Sequence, residues 1–513
     1  MPELATGAIS SRSASDTLRI SGESAVARRP DEIRRSGLVI AVLIAVAVLS
    51  FAISRPYYPS DAWPVNVHAL PVDFRAFYCA GAAVADHRDP YRTEPLRTCQ
   101  NAARGFPAGR GLRFAVPAPL PGYAIAPFVL LSRLPYAAAN GLFMAGLLAS
   151  LAMSVVLLGR LCALRPETIF AALLLDGLYA LFIGQIVPIV CAATIAAAYF
   201  VARGRDRLAA LAAALAMLEP HLGLPVCLAL FIARPRARAV LAGCGLLLAA
   251  GSIGLLGLDA NIEYLRAVLP AHVLSELSNE EQYSLSYLAH LAGIGERTAS
   301  GLGTLSYLVM LVVGVFAGRR AAARTEMPAL LLLVPPAFAV LGGPFVHVQQ
   351  LAVAIPAALV LSGRVSLDAR LGAGAVMLLA FPWTAAGFLA LNLPVVAAVA
   401  FILALDLFGF TPSRAGIVSF ASIAVTAALL GTFACLPPLS IGPIDPGEGT
   451  ALAENGWRTH VEATFQGSAI PFIAAKLFGW TGLILVAIAT LGIGFHRDRP
   501  QTAIRRVLPF GAP

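Results

Sequence analysis

The sequence predicts an all-α fold, a polytopic bundle of membrane-crossing helices. Three observations predict it: overall hydropathy, the recurrence of long apolar runs, and the arginines set between them. Of 513 residues, 58% are hydrophobic and 13% charged, with a mean hydropathy of +0.78, whereas a soluble domain carries about a quarter charged residues. Runs from Gly37 to Ser54, Ala137 to Gly159 and Pro471 to Gly494 reach the roughly 18 apolar residues that cross a hydrocarbon core as a helix. Many other stretches are similar, and the count comes to about twelve crossings plus one re-entrant helical element.

Taken in order, residues 1–36 are rich in Ser, Ala, Arg and Glu without apolar periodicity and are expected as a flexible cytoplasmic tail. The first apolar run follows this polar stretch with no clear small-residue cleavage site, so it is expected as a retained anchor. Arg28, Arg29, Arg34 and Arg35 place the N-terminus inside by the positive-inside rule. The membrane domain then runs over 37–495, and 496–513 form a second cytoplasmic tail. Connections carrying Arg160 and Arg165, Arg203 to Arg207, Arg234 to Arg238, Arg319 to Arg324, Arg364 and Arg370, and Arg414 are expected on the same inner side.

Between Arg207 and Arg234 both ends are arginine-rich, and Glu219-Pro220-His221 and Pro225 interrupt the apolar middle. Two half helices that enter and leave on one side satisfy both ends, since irregular backbone is tolerated at depth when protein surrounds it. Three polar stretches then fall outside: residues 55–113, Asp259 to Ser300, and Pro437 to Ile470. The layout is that of a multi-pass protein of the cell (inner) membrane with both termini cytoplasmic.

The net charge of +9 does not point to nucleic acid, because the basic residues sit in short clusters between apolar runs and form no basic face with interleaved aromatics. Almost all are Arg; Lys476 is the one lysine. Of seven Cys, five lie in or beside apolar runs, where thiols behave as small hydrophobes. No metal-ligand spacing occurs. Cys79 and Cys99 share the first outer loop, where a disulfide between them can form.

That loop carries the chemistry. The string PVDFRAFYCAGAAVADHRDPYR concentrates Asp73, Asp86 and Asp89 with Arg75, Arg88 and Arg92. Carboxylates beside guanidinium groups suit an anionic lipid headgroup plus a hydroxyl to be deprotonated, although charges in a loop are most often simply solvated. Asp73 differs because Val72, Phe74, Phe77 and Tyr78 surround it with apolar side chains.

From Asp73 to Tyr91 the sequence resembles the opening signature of glycosyltransferase family 87, a GT-C membrane family that includes polyprenyl-phosphate-mannose-dependent mannosyltransferases. Further likenesses are Phe114 to Phe128, Gly184-Gln185, Gln282-Tyr283-Ser284-Leu285, and Gly343 to His347. Where the family commonly has Lys-Pro in the re-entrant region, this chain has Glu219-Pro220. The resemblance implies a GT-C fold and metal-independent transfer of a mannose-like hexose. The donor would be a polyprenyl-phosphate sugar, and the acceptor hydroxyl would belong to a lipid or glycan on the extracytoplasmic side. Asp73 matches the general base of such inverting chemistry. His347, Arg75, Arg88 and Arg92 are candidates to bind the donor phosphate or sugar, and no cofactor is implied. Glu281, Gln282 and Ser284 are acceptor-binding candidates beside a second reading as a solvated face. Trp457 reads as an interface anchor.

The alternative is a secondary transporter or lipid-linked sugar flippase, since about twelve helices with Glu219 and His221 in a broken one suit alternating access. Transporters place polar residues near the midplane and show related halves. Here the strongest polar signal lies in an outer loop, and no internal repeat is evident.

Overall fold

The computed structural model describes residues 30–54, 71–103, 113–363, 367–434, 450–465 and 469–495. The expectations for residues 1–29 and 496–513 lie outside these. Helix α1 (Pro30–Ser54) starts within the segment expected as a tail. In the first loop, α2 (Val72–Ala85) and α3 (Thr93–Ala103) are joined by a Cys79–Cys99 disulfide.

Four helices follow: α4 (Gly122–Leu131), α5 (Tyr136–Leu161), α6 (Pro166–Ile183) and α7 (Val187–Ala202). Next come α8 (Asp206–Ala216) and α9 (Pro220–Ala233). A long rod is built from α10 (Pro235–Glu263), one π turn (Tyr264–Val268) and α11 (Leu269–Ser275). Beyond it lie α12 (Leu285–Leu291), α13 (Glu296–Thr325), α14 (Leu330–Gly342), a 3-10 segment (Val348–Ala354) and α15 (Ile355–Ser362). The chain ends with α16 (Leu367–Leu379), α17 (Ala386–Leu391), α18 (Leu393–Phe408), α19 (Pro412–Ala434), α20 (Ala453–Phe465) and α21 (Ala469–Phe495). Proline opens α6, α7, α9 and α10 at their first two positions, where its missing N–H is not needed. Among the described residues there is no strand, only an isolated bridge between Arg92 and Leu452.

Among the described residues, six helices are long and apolar enough to cross a membrane by themselves, and seven shorter apolar ones accompany them. The expected total of about twelve crossings is therefore not reached by full-length helices. The difference comes from apolar segments cut short by Pro, Gly and polar turns. The hairpin of α8 and α9 is one such case: its arms, of 11 and 14 residues, extend only about 16 and 21 Å.

At the centre sits α14, apolar all round and buried almost all round, packed by α13, α9, α7 and α21. On the periphery, Leu246 and Leu247 of α10 are 73% and 74% exposed, with further large apolar residues exposed along α1, α5 and α13. So much continuous apolar surface requires a hydrocarbon solvent. In that solvent helices gain little by hiding apolar side chains from one another, and close backbone approach takes over. A Cβ on Gly314 of α13 would stand 2.7 Å from Phe338 Cβ, and one on Gly318 3.0 Å from the Leu330 carbonyl, so α13 meets α14 through these glycines.

Arginine-rich ends gather at one face of the bundle. Arg160, closing α5, reaches the Tyr199 hydroxyl near the end of α7 at 3.5 Å. Arg165, before α6, pairs with Asp406 near the end of α18 at 3.2 Å, and Arg234 after α9 stands 4.0 Å from Asp206 at the start of α8. The α8–α9 hairpin thus rises from the arginine face and turns back at Glu219. A topology reporter fused near Arg236 should score cytoplasmic and one fused near Gln100 extracytoplasmic; the opposite result at either position would break this arrangement.

Candidate active site

Helix α2 is locked in place by its aromatic side. Phe74 stacks on Phe143 with ring centroids 4.6 Å apart, Phe77 meets Phe128 at 5.1 Å, and Tyr78 meets Tyr136 edge-on at 5.2 Å. Aromatic pairs of this kind contribute about 0.5–1.5 kcal/mol each beyond their buried area. With that face fixed, Asp73 in the first turn is carried to the end of α6. There Gly184 ends the helix in the left-handed region, φ 79°, the usual helix stop for a residue without a Cβ. A side chain would also collide, since a Cβ on Gly184 would lie 2.7 Å from the Cβ atoms of Pro71 and Phe74. The turn aims Gln185, whose Nε2 donates to Asp73 Oδ2 at 2.8 Å. Among the described residues nothing hydrogen-bonds to Oδ1.

A second carboxylate lies within electrostatic reach of Asp73. Glu276 follows α11, is 3% exposed, and is met by donors on both oxygens. Trp457 Nε1 of α20 donates to Oε1 at 2.7 Å; Asn279 Nδ2 and Gln282 Nε2 donate to Oε2 at 2.7 and 3.0 Å. His347 Nε2 stands 3.7 Å from the same Oε2. Gln282 is a hinge between segments: its Oε1 accepts from the Val346 N–H at 2.6 Å, and its amide nitrogen lies 3.0 Å from His347 Nε2. The His347 N–H donates to Gln350 Oε1 at 3.0 Å, and Gln350 Nε2 donates to Glu219 Oε2 at 3.3 Å. The tip of the α8–α9 hairpin therefore joins the cluster.

The two carboxylates are held in opposite charge regimes. Burial, followed by the field of Glu276, raises Asp73 to about 7, against the lowering effects of the Gln185 hydrogen bond and Arg75. Burial also opposes charge on Glu276, yet the fields of His347 and His272 and the bonds from Trp457 and Asn279 hold it below the usual glutamate range. Glu281 is pushed up to about 7 by burial and by Glu276, with Lys476 acting against them.

The other sequence candidates are distributed unevenly. Arg75 is 1% exposed and within electrostatic reach of Asp73 and Tyr136. Arg88 is exposed beyond the end of α2, about 20 Å of helix from Asp73. Arg92 is engaged by Asp89 at 2.8 Å and by Glu263. Ser284 caps α12, accepting from the Tyr287 N–H at 3.2 Å. Glu281 is half-buried and feels the field of Asp73. Trp457, read from the sequence as a surface anchor, instead binds Glu276 and packs 6.0 Å from the Phe114 ring. Glu276 was not singled out; the one signal for it was a helix end running into the carboxylate-rich stretch Glu276 to Glu281. Among the described residues, no three His, Cys, Asp or Glu side chains are grouped so as to hold a metal ion.

Gly184→Ala should destabilise the fold by about 1–3 kcal/mol, the range for a residue forced into a disfavoured backbone region, and pull Gln185 off Asp73; thermal unfolding in detergent reads the first effect. Trp457→Phe keeps the ring but removes a donor to a charged group, a loss of about 1.5–3 kcal/mol that the same assay should register; an unchanged transition would show the bond to be idle.

No curated protein and no solved structure matches the chain. Residues 121–344 match the model of glycosyltransferase family 87.

Proposed function

We propose that this membrane glycosyltransferase moves a hexose, mannose-like, from a polyprenyl-phosphate donor to a lipid or glycan hydroxyl on the extracytoplasmic side, with Asp73 as general base. One observation carries the reading. Asp73 with Gln185, and Glu219, Gln350, His347, Gln282 and Glu276, form two hydrogen-bonded groups drawn from separate stretches of sequence, and the carboxylates Glu219 and Glu276 lie within electrostatic reach of Asp73.

Gln185 occupies Oδ2 of Asp73, so Oδ1 is the atom that accepts the proton of the acceptor hydroxyl. The acceptor oxygen attacks the anomeric carbon as the bond from that carbon to the phosphate oxygen breaks, inverting the configuration. Polyprenyl phosphate departs with the bonding electrons, and the proton stays on Asp73 until solvent removes it. A base whose own pKa is near 7 combines a deprotonated fraction at neutral pH with real basicity. His347, backed by the charged Glu276 at 3.7 Å, is the group we assign to the leaving phosphate oxygens. Arg75 offsets the charge of Asp73, Glu281 is the acceptor-binding side chain, and the buried Gln282, with both amide atoms engaged, holds Glu276 and His347 in place.

Incubation of the purified protein with radiolabelled polyprenyl-phosphate sugars and a lipid extract of the native host tests the reading. Product should form with at least one donor, and Asp73→Asn should reduce its formation by about 10²–10⁴-fold while the protein inserts normally. Because Asp73 works deprotonated and is raised to about 7, kcat/KM should climb as pH passes upward through that value and level off above it. Unchanged transfer by Asp73→Asn would remove it as the base.

A further inference from the structure

Helix α21 lies outside the stretch matched to the family, yet one of its faces is fitted to residues 280–287. Lys476, Gly479 and Trp480 stand at positions i, i+3 and i+4, neighbours on one side of a helix. Lys476 is 0% exposed about two turns into a helix long and apolar enough to cross the membrane. Its Nζ lies 3.4 Å from the centroid of the Tyr287 ring, a cation–π contact strengthened by the absence of water. The Tyr287 hydroxyl in turn donates to Glu280. Gly479 leaves room for the Tyr283 ring, whose edge would stand 2.7 Å from a Cβ there. Trp480 meets the same ring edge-on at 5.9 Å, and its Nε1 donates to the Tyr283 carbonyl at 3.0 Å.

The bond from Trp480 answers a local need. Tyr283 is 1% exposed and precedes Ser284, the cap of α12; the first carbonyl engaged by that helix is that of Ser284, from the Leu288 N–H at 3.3 Å. The Tyr283 carbonyl therefore takes its donor from elsewhere, as buried carbonyls generally must. The other side of the same residue is tied to the Gly-Pro turn. The Tyr283 N–H donates to the Val346 carbonyl at 2.7 Å, and the Val346 N–H donates to Gln282 Oε1 at 2.6 Å. Gln282 Nε2 then donates to Glu276 Oε2 at 3.0 Å and lies 3.0 Å from His347 Nε2. A continuous path thus runs from the indole of Trp480 through the backbone of Tyr283 and Val346 to the imidazole of His347, and no contact in it is longer than 3.0 Å.

We propose that Trp480 is a positioning residue of the sugar-transfer site: its indole N–H holds the Tyr283 carbonyl, and through the pairing of Tyr283 with Val346 it sets His347 against the leaving phosphate oxygens. Lys476, seated on Tyr287, fixes the far end of the same stretch, so Trp480 acts on a segment that is already anchored. A shift of a reacting or stabilising group by about 1 Å is enough to lose about 10²-fold in rate. The role given to Trp480 rests on the transferase reading above; the placement of His347 by Trp480 does not.

The test uses the full-length protein in nanodiscs. With biosynthetic 15N-histidine, the His347 side-chain signal is identified by its absence from His347→Ala. In Trp480→Phe, which keeps a ring beside Tyr283 and removes the N–H, that signal should move; an unmoved signal would overturn the placement. In transfer assays with polyprenyl-phosphate sugars, Trp480→Phe should lower kcat about tenfold with KM for the acceptor nearly unchanged. The double variant separates positioning from general damage: if Trp480 acts through His347, Trp480→Phe adds no further loss in a His347→Ala background. The same loss in both backgrounds, or full kcat in Trp480→Phe, would overturn the role. Gly479→Ala, which presses on the Tyr283 ring and Leu351 and leaves the indole in place, gives a second route should Trp480→Phe fail to fold. It should move the His347 signal too, and an unmoved signal there would overturn the placement. No transfer by the wild type from any donor would overturn the transferase reading and this role with it, while the His347 signal would still decide the placement.

Discussion

A glutamate carboxylate shut inside protein must find hydrogen-bond donors or give up its charge, and Glu276 finds them in parts of the chain that are far apart. Trp457 comes to it across 181 residues of sequence, Asn279 and Gln282 from the turn that follows it, and His347 from the end of α14. Each contact fixes a different segment: helix α20 before the last bundle helix, the second outer stretch, and the Gly-Pro turn before the 3-10 segment. Without this carboxylate the polar ends of the helices would have no common point of attachment, and hydrocarbon offers little force of its own to gather them.

The environments of Asp73 and Glu276 show how two carboxyl groups within electrostatic reach of each other are held differently. Both are surrounded by protein, but Asp73 receives one hydrogen bond from Gln185 and feels a second anion, while Glu276 is wrapped by donors and histidines. One carboxyl is left near neutrality in its proton affinity and the other is held charged. Carboxyl groups pushed apart in this way are the usual arrangement where one must exchange a proton and the other must stay an anion.

The apolar helices were legible because a segment that lies in lipid must satisfy its backbone within itself, and the length of an apolar run then reads directly as a helix. Their number was harder, since α4, α8 and α9 are too short to cross and nothing in local composition says which short helices abut. Asp73 could be singled out by its aromatic neighbours, and Gly184-Gln185 by its motif, because both signals are local. Arg75, Arg88 and Arg92 look alike on the page. Only packing separates the buried one beside Asp73 from the exposed one and from the one engaged by Asp89 and Glu263. The partners of Glu276, Trp457 and Lys476 are hidden for the same reason: a single charged or aromatic residue in a loop or helix reveals its partner only through long-range contact.

The extent of the family match gains meaning beside this geometry. Residues 121–344 contain Gln185, Glu219, Glu276 and Gln282, but Asp73, His347, Trp457 and Lys476 all fall beyond its borders. The stretch held in common is a scaffold with half of a polar centre, and the remaining half is contributed by the flanks. A likeness confined to that stretch therefore leaves Asp73, His347 and Trp457 outside it, and kinship in those residues has to be read from the flanking helices.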